Sequence, residues 1–307
     1  MSDFDDQIAA QRPDLLRHCY RMLGSFADAE DIVQDVLVNA LKARDSYAGN
    51  VPIGHWVMRI ATNACLNELA RRKRRGLPQL EREPATAIEH VELLEAADWL
   101  TPAPDARLFA PARSLETRES VALAFLALLQ RLPPRQRAVL LLKDVLGWSA
   151  EECAATLETT VSSVSSALHR ARETIAIAPA APPSDPPPDV LRDYIRSWED
   201  RDIDALVRLL HDDVVFAMPP HATWFRGHAV TAFFRGERLA RFWAQTTRIV
   251  ATRANGQLAL AFYVGDGESY RRHSLQVVDF VGDRVAQAVH FIGADYLRGF
   301  DVPEILA

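Results

Sequence analysis

Apolar residues recur every three or four positions through the first 75 residues, which is the spacing that predicts amphipathic helices. One such helix ends at Gly24 and Ser25, and Asp28 is expected to cap the next. In that next helix the apolar residues from Ile32 to Leu41 predict a buried face, and the acids among them predict a polar face. Such a polar face is usually just exposed to solvent. The alternative is a docking surface for a basic partner, which would show the same pattern.

A second helical block over residues 133–172 predicts three helices separated by short turns. Gly147 ends the first helix, and Ser149 with Glu152 forms a capping box for the second. Thr160 is expected to cap the third, which is rich in serine and ends in basic residues. Because serine is a mediocre helix former, this helix favours a DNA-reading helix-turn-helix over an ordinary helical hairpin with solvated serines.

The periodicity changes after a stretch rich in proline and alanine. Residues 189–210 predict one amphipathic helix, after which apolar and polar positions alternate as they do in strands. The predicted strands are residues 214–218, 248–252, 258–264, 273–280 and 284–292. A helix followed by strands that wrap it predicts an α+β domain.

Composition limits the classes of function that the chain can serve. The 307 residues are 49% hydrophobic, which is enough for two or three domains with their own cores. The net charge of −6 argues against a protein that coats nucleic acid by bulk charge, so any DNA contact must come from local basic patches. The chain has no apolar run near the roughly 20 residues that span a bilayer and no signal-peptide pattern, so we expect a cytoplasmic protein with no membrane contact. Cys19, Cys65 and Cys153 are isolated, and we expect neither a metal site nor a cofactor.

A polar face on the predicted helix over residues 56–75 carries amide and guanidinium groups at steps of three to four. Its members are Arg59, Asn63, Asn67, Arg71 and Arg74. Such a face can follow phosphates and hydrogen-bond to bases. Basic residues also complement the dipole at a helix end, but the five consecutive ones at residues 71–75 exceed that need, which favours nucleic acid.

Several sequence motifs follow one another in a characteristic order. They are DAEDIVQD at residues 28–35, Trp56, IATN at residues 60–63, the basic run, and LPPRQRAVLLLKDVLGWSAEECA at residues 132–154. In this order the stretches resemble the bacterial sigma-70 family, and more narrowly its extracytoplasmic-function (ECF) group. The resemblance covers about residues 10–177 and implies a multidomain protein with all-α domains. The implied divisions are a sigma-2 domain at 1–76, an acidic linker at 77–114, a sigma-4 helix-turn-helix domain at 115–178, a proline-rich linker at 179–188 and a C-terminal domain at 189–307.

The resemblance also implies which residues meet core RNA polymerase and promoter DNA. The family's acidic helix docks on polymerase, and here this corresponds to Asp28, Glu30, Asp31, Gln34 and Asp35. The next helix captures and melts the −10 element, which corresponds to Trp56, Arg59, Asn63, Asn67, Arg71 and Arg72. The last helix reads the −35 element, which corresponds to Ser162, Ser163, Ser165, Ser166, His169 and Arg170. Family members often carry lysine where Ser165 stands, and a lost cation weakens nonspecific phosphate binding.

MPPHATWFRG at residues 218–227 and FIGADYLRGFDVPEIL at residues 291–306 resemble SnoaL-like members of the nuclear-transport-factor-2 superfamily. That resemblance implies a curved sheet forming a cone around a pocket. The candidate pocket residues, which core packing also explains, are Trp198, Phe216, Met218, Trp224, Tyr263 and His290. The superfamily includes enzymes, and the candidate bases are His221, His290 and Asp213. Because no acid and base are convincingly paired, we expect a binding or regulatory module that takes a small molecule rather than a catalyst.

The sequence thus predicts an ECF sigma factor whose C-terminal domain contacts the sigma domains and modulates them. Two alternatives stay open. One is a helix-turn-helix regulator that binds DNA without polymerase, and the other is a small-molecule enzyme carried on a DNA-binding module. The acidic face of residues 28–35 argues against the first, since a plain repressor needs no polymerase-docking helix.

Overall fold

The computed structural model of the protein describes residues 3–72, 74–85, 99–109, 121–175 and 185–307. The chain divides into two compact units. The first comprises Met1–Gly76 and Arg107–Pro179, and the second comprises Leu77–Ala106 and Ala180–Ala307. Most of the segment that the sequence assigns to the first linker therefore belongs to the unit that holds the C-terminal domain.

The elements are numbered in chain order. The helices are α1 (Asp3–Ala10), α2 (Arg12–Leu23), α3 (Phe26–Lys42), α4 (Ile53–Leu69), α5 (Pro78–Glu81), α6 (Asp105–Leu108), α7 (Leu123–Arg131), α8 (Pro134–Leu140), α9 (Ala150–Thr156), α10 (Val161–Ile175), α11 (Pro188–Glu199), α12 (Ile203–Arg208), α13 (His228–Arg235) and α14 (Glu237–Trp243). The strands are β1 (Leu210–Ala217), β2 (Trp224–Arg226), β3 (Thr246–Ala254), β4 (Gln257–Gly265), β5 (Tyr270–Val281), β6 (Arg284–Ile292) and β7 (Ile305–Leu306). None of the helices in the described ranges combines the length and the apolar character that a bilayer crossing requires.

In the first unit, α1 to α4 pack together, and Gly24 ends α2 at φ 69° as the sequence predicts. The start of α3 differs from the prediction. Ser25 is the N-cap, and its side chain accepts a hydrogen bond of 3.4 Å from the backbone N–H of Asp28. Asp28 lies inside the first turn, which leaves its carboxylate free to meet side chains elsewhere. Leu41, which the pattern places on the buried face, is 43% exposed.

The helix-turn-helix forms as the sequence predicts. Ser149 and Glu152 make both hydrogen bonds of a capping box at the start of α9. The Oγ1 of Thr160 accepts a hydrogen bond of 3.2 Å from the backbone N–H of Ser163, which caps α10. Gly147 adopts φ 72° and supplies the left-handed stop before α9.

The second unit is built on a seven-stranded sheet with the order β2-β1-β6-β5-β4-β3, and β7 adds to β5. Strands β1 and β6 are parallel, and the other neighbours are antiparallel. All five predicted strands are present, whereas β2, β7, α13 and α14 are not in the prediction. The single helix predicted over residues 189–210 is wrong, because the chain turns at Arg201 (φ 61°) and Leu210 already begins β1.

The core of this unit lies between the sheet and its helices. The indole of Trp198 on α11 packs against Phe262 of β4 and His290 of β6, with ring centroids 5.3 and 6.2 Å apart. Phe234 of α13 meets the same indole at 5.5 Å. A helix held against a sheet in this way confirms the predicted α+β class.

The described part of the first linker is packed rather than solvated. Trp99 is 2% exposed, and Leu100 and Ala103 are fully buried. The Nε1 of Trp99 donates to the carbonyl oxygen of Pro220 at 2.9 Å, and the N–H of Ala103 donates to Oδ1 of Asn255 at 3.0 Å. Closely spaced apolar residues inside a polar segment gain more from burial than from solvation. The acidic stretch at residues 86–98 lies outside the described ranges.

Candidate nucleic-acid interface

One exposed face of α3 carries three of the five residues predicted to meet polymerase. Asp31, Gln34 and Asp35 are exposed. Val38 and Leu41, each 43% exposed, continue this face at helical steps of three and four. The face therefore offers a partner both carboxylates and apolar surface. The sequence pattern missed the apolar part because it assigned Leu41 to the core.

The other two predicted acids have partners within the first unit. Asp28 contacts Arg72, and the Nη2 of Arg75 lies 2.7 Å from its carboxylate. Glu30 contacts Arg107. The structure thus pairs Asp28, predicted for polymerase, with Arg72, predicted for −10 DNA. The basic run is in part an internal ion-pair partner, which the sequence could not distinguish from a DNA-binding tail.

The residues predicted to read the −10 element lie along α4 and just beyond its end. Asn67 and Arg71 are exposed, and Asn63 is half-buried. Trp56 is also half-buried, and its ring centroid lies 5.2 Å from that of Tyr47. Half-buried aromatic rings such as those of Trp56 and Tyr47 are the kind of side chain on which unpaired bases stack.

The residues predicted to read the −35 element form one exposed face of α10. All six are exposed: Ser162, Ser163, Ser165, Ser166, His169 and Arg170. The neighbouring Arg172 is held by Asp144, with two hydrogen bonds of 2.9 and 2.7 Å. This ion pair joins α10 to the π-helical segment Leu141–Val145 that continues α8, so Arg172 is already engaged within the first unit.

The predicted −10 helix and the helix-turn-helix touch each other in the first unit. The imidazole of His55 on α4 stacks on the indole of Trp148, with centroids 4.3 Å apart and planes 20° from parallel. The Nδ1 of His55 lies 3.3 Å from Glu152 at the start of α9. Further along α4, Arg59 lies 3.4 Å from Glu158 in the turn between α9 and α10. The two elements predicted to read DNA are therefore closed against each other.

A buried polar seam reinforces this closed arrangement. The Nε2 of Gln130 on α7 donates to the carbonyl oxygen of Arg21 at 3.1 Å. Arg137 on α8 donates to the carbonyl oxygen of Met22 and, at 3.1 Å, to that of Leu132. Burial lowers the pKa of Arg137 to about 10, which still leaves it charged at neutral pH. Gln130 and Arg137 thus bond to two carbonyl oxygens in the last turn of α2, which the end of a helix leaves unpaired.

The candidate pocket residues of the second unit do not share one environment. Trp198, Phe216 and Met218 belong to its core, and His290 is buried beside them. Tyr263 follows the core residue Phe262 on β4, so it lies on the opposite face of the sheet, where its hydroxyl donates to Pro303 at 2.6 Å. Trp224 donates to the backbone of Arg82 at 2.8 Å. The structure thus brings four of the six together.

A chain of buried polar groups runs beside this core. The hydroxyl of Tyr194 donates to Gln276 at 2.8 Å, and the amide nitrogen of Gln276 lies 3.2 Å from Nδ1 of His290. The Nε2 of His290 lies 2.6 Å from Oγ of Ser274. Burial lowers the pKa of His290 to about 3, so the imidazole is neutral and both its nitrogens are engaged.

The other two candidate bases lie in different surroundings. The carboxylate of Asp213 is 74% exposed and lies 3.7 Å from Arg226. His221 is half-buried in the turn after β1, where its N–H donates to the carbonyl oxygen of Met218. An exposed carboxylate and a buried imidazole do not form an acid–base pair across one pocket.

Comparison with known families agrees with this architecture. The Sigma-70 region 2 family matches residues 8–75, and the Sigma-70, region 4 family matches residues 122–175. The SnoaL-like domain family matches residues 191–292. The fold and its exposed helices thus define a sigma factor with an additional α+β domain.

The chain is 39% identical to the ECF RNA polymerase sigma factor SigG of Mycobacterium tuberculosis, in a match covering 99% of this chain and 85% of SigG. It is 26% identical to the probable ECF RNA polymerase sigma factor SigI of the same organism, covering 86% and 87%. The crystal structure of the M. tuberculosis extracytoplasmic function sigma factor SigJ shares the fold, with a TM-score of 0.59 at 21% identity over 97% of this chain and 99% of that one. The chain belongs to the ECF RNA polymerase sigma factors, in the form that carries a C-terminal SnoaL-like domain.

Proposed function

We propose that the protein recruits core RNA polymerase to promoters that it reads through α4 at the −10 element and through α10 at the −35 element, and that the SnoaL-like domain modulates this activity. The continuous exposed face of α10, capped by Thr160 and free of the Arg172 ion pair, is the observation that carries the proposal. The names of the relatives, which are RNA polymerase sigma factors, support the partner. We assign the SnoaL-like domain no bond chemistry, because its buried histidine is neutral and fully bonded.

The closed arrangement explains why polymerase should be required. The −10 and −35 elements are named for their positions, so they lie about 25 base pairs apart, which is about 85 Å along a duplex. In the first unit Arg59 of α4 and Glu158 next to α10 are 3.4 Å apart. One closed unit cannot occupy both elements, so polymerase must favour a form in which α4 and α10 are separated.

The decisive experiment is transcription in vitro from genomic fragments, with core polymerase and full-length protein. We expect promoter-specific transcripts and open complexes with both components, and weak duplex binding by the protein alone. Tight, specific duplex binding without polymerase would instead favour the stand-alone regulator.

Charge reversal on α3 tests the polymerase surface directly. We expect the double change Asp31→Lys and Asp35→Lys to weaken core binding by about tenfold or more, because opposed charges across an interface become like charges. Asp45→Lys, an exposed acid in the turn after α3, is the matched control. Equal losses in both variants, with helical content unchanged, would remove α3 from the polymerase interface.

Truncation after Ala178 tests the modulating role of the SnoaL-like domain. We expect promoter-specific transcription to change. It should increase if the domain holds the sigma domains in an inactive form, and decrease if the domain stabilises the form that binds polymerase. Because the truncation also removes the surface that buries Trp99 and Leu100, the two proteins must be compared at equal folded concentration. Equal transcription by the full-length and truncated proteins would show that the domain does not modulate the activity.

A further inference from the structure

One arginine on β3 binds aspartates from two different connecting segments. The Nη1 of Arg253 lies 2.8 Å from Oδ2 of Asp185, and its Nε lies 3.5 Å from Oδ2 of Asp105. Its Nη2 donates to the carbonyl oxygen of Gly256 at 2.9 Å. The guanidinium thus hydrogen-bonds to Asp185 and to Gly256, and its Nε makes a charge contact with Asp105 at 3.5 Å that is not a hydrogen bond.

The two aspartates are held with different strength. The side chain of Asp105 is 14% exposed, and it also accepts a hydrogen bond of 2.7 Å from the backbone N–H of Gly256. Beside it, Ala103 and Asn255 exchange two further hydrogen bonds of 3.0 Å. The side chain of Asp185 is 60% exposed, so solvent screens its attraction to Arg253 more strongly.

The positions of these aspartates in the chain give the contact its meaning. Asp105 lies shortly before, and Asp185 shortly after, the segment Arg107–Pro179 that contains the whole helix-turn-helix. Arg253 therefore holds the chain where it leaves the SnoaL-like unit and again where it returns. Fixing both ends of a segment reduces the number of positions that the residues between them can reach.

We propose that Arg253 is a positioning residue that anchors both connectors to the SnoaL-like domain and thereby restricts how far the helix-turn-helix region ranges from that domain. This inference rests on the proposed modulating role, because it names the contact through which the domain acts. Arg253 touches neither DNA nor polymerase in the proposal. Its effect is on the connectors alone.

The test uses the full chain with two spin labels and no polymerase, so its outcome is separate from that of the transcription experiment. Labels are placed at Glu151→Cys on α9 and at Val281→Cys, which is 58% exposed in the native chain. The native cysteines are buried and do not compete for the label. We expect a broader distance distribution in Arg253→Gln than in the parent. Arg235→Gln is the matched control, because Arg235 makes an exposed ion pair of 2.6 Å with Asp204 and holds no connector.

A second measurement separates the two arms of the contact. In Asp105→Asn we expect the Gly256 amide to exchange with solvent at least about tenfold faster, because its charged acceptor is lost. Asp185→Asn should leave that amide unchanged and still broaden the label distribution. Unchanged distributions in both Arg253→Gln and Asp185→Asn, or equal broadening in Arg235→Gln, would overturn the proposal.

Discussion

Replacing His55 by alanine removes one half of the ring stack between α4 and the start of α9. In the native first unit the His55 and Trp148 centroids are 4.3 Å apart at 20°, and the imidazole side chain is 34% exposed. The substitution leaves the capping box of Ser149 and Glu152 intact, because its two hydrogen bonds do not involve His55. We therefore expect both halves of the first unit to stay folded while the contact between them weakens.

The magnitude follows from the stack alone. An aromatic pair contributes about 0.5–1.5 kcal/mol beyond the area that it buries. The contact of His55 with Glu152 is solvent-exposed, and we add nothing for it. A loss of about 1 kcal/mol shifts the balance between closed and separated forms by about fivefold. If only the separated form binds polymerase, the apparent affinity for core polymerase rises by the same factor.

The assay is a fluorescence titration of labelled protein with core polymerase in the absence of DNA, which removes any effect on promoter contacts. His169→Ala is the matched control, because His169 makes a comparable 3.4 Å contact with Glu173 inside α10 alone. We expect tighter binding for His55→Ala and unchanged binding for the control. Unchanged or weaker binding of a folded His55→Ala protein would refute the reasoning that the α4–α9 contact opposes polymerase binding.

Two further predictions concern stability and the docked linker. Burial lowers the pKa of His18 and of His290 to about 3, so as the pH falls these histidines are protonated in the unfolded chain before they are protonated in the folded one. The free energy of unfolding therefore decreases as the pH drops below about 6.5, by about 2 kcal/mol per histidine at pH 5. Burial raises the pKa of Asp279 to about 6, so its protonation in the folded state offsets about 1 kcal/mol of that loss in the second unit. Burial also lowers the pKa of His273 in the second unit, which adds to the loss there. Hydrogen exchange, corrected for the intrinsic rate, should therefore show both units losing protection between pH 7.5 and pH 5, and unchanged protection in either unit would contradict this. Trp99→Ala removes a buried tryptophan together with its hydrogen bond to Pro220, so the linker should be released and cleaved faster by protease. The free energy with which the linker is docked sets the upper limit of that increase in cleavage rate. Trp99→Phe should stay largely protected, and equal cleavage of both variants would assign the docking to the hydrogen bond rather than to burial.

Local signals account for what the sequence predicted well. The capping box at Ser149 and Glu152 and the left-handed Gly147 depend on residues within a few positions of each other, and all were predicted. The cap of α3 was misplaced because Ser25 and Asp28 are both good cap residues three positions apart. Propensity does not choose between them, whereas the backbone geometry at Ser25 does.

Partners far apart in sequence account for what the sequence missed. Asp28 and Asp35 lie on one helix with the same charge, yet Asp28 meets Arg72 and Arg75 while Asp35 is exposed. No helical period encodes that difference, since it depends on where the chain after α4 returns. The docking of Trp99 on the C-terminal unit is a similar case, because its acceptor Pro220 lies 121 positions away.

The interior of the SnoaL-like domain shows why a set of aromatic residues does not by itself predict a pocket. The side chain of Trp198 is 2% exposed, and its indole meets Trp243, Phe262 and Phe234 at centroid distances of 5.2, 5.3 and 5.5 Å. Aromatic residues are expected both around a ligand and in a core without one. Which of the two forms depends on whether the side-chain volumes fill the space that the curved sheet encloses. With the indole in this position, a ligand placed among these rings must first displace it. A ligand that acted through this core would therefore have to displace Trp198 or one of the rings packed against it.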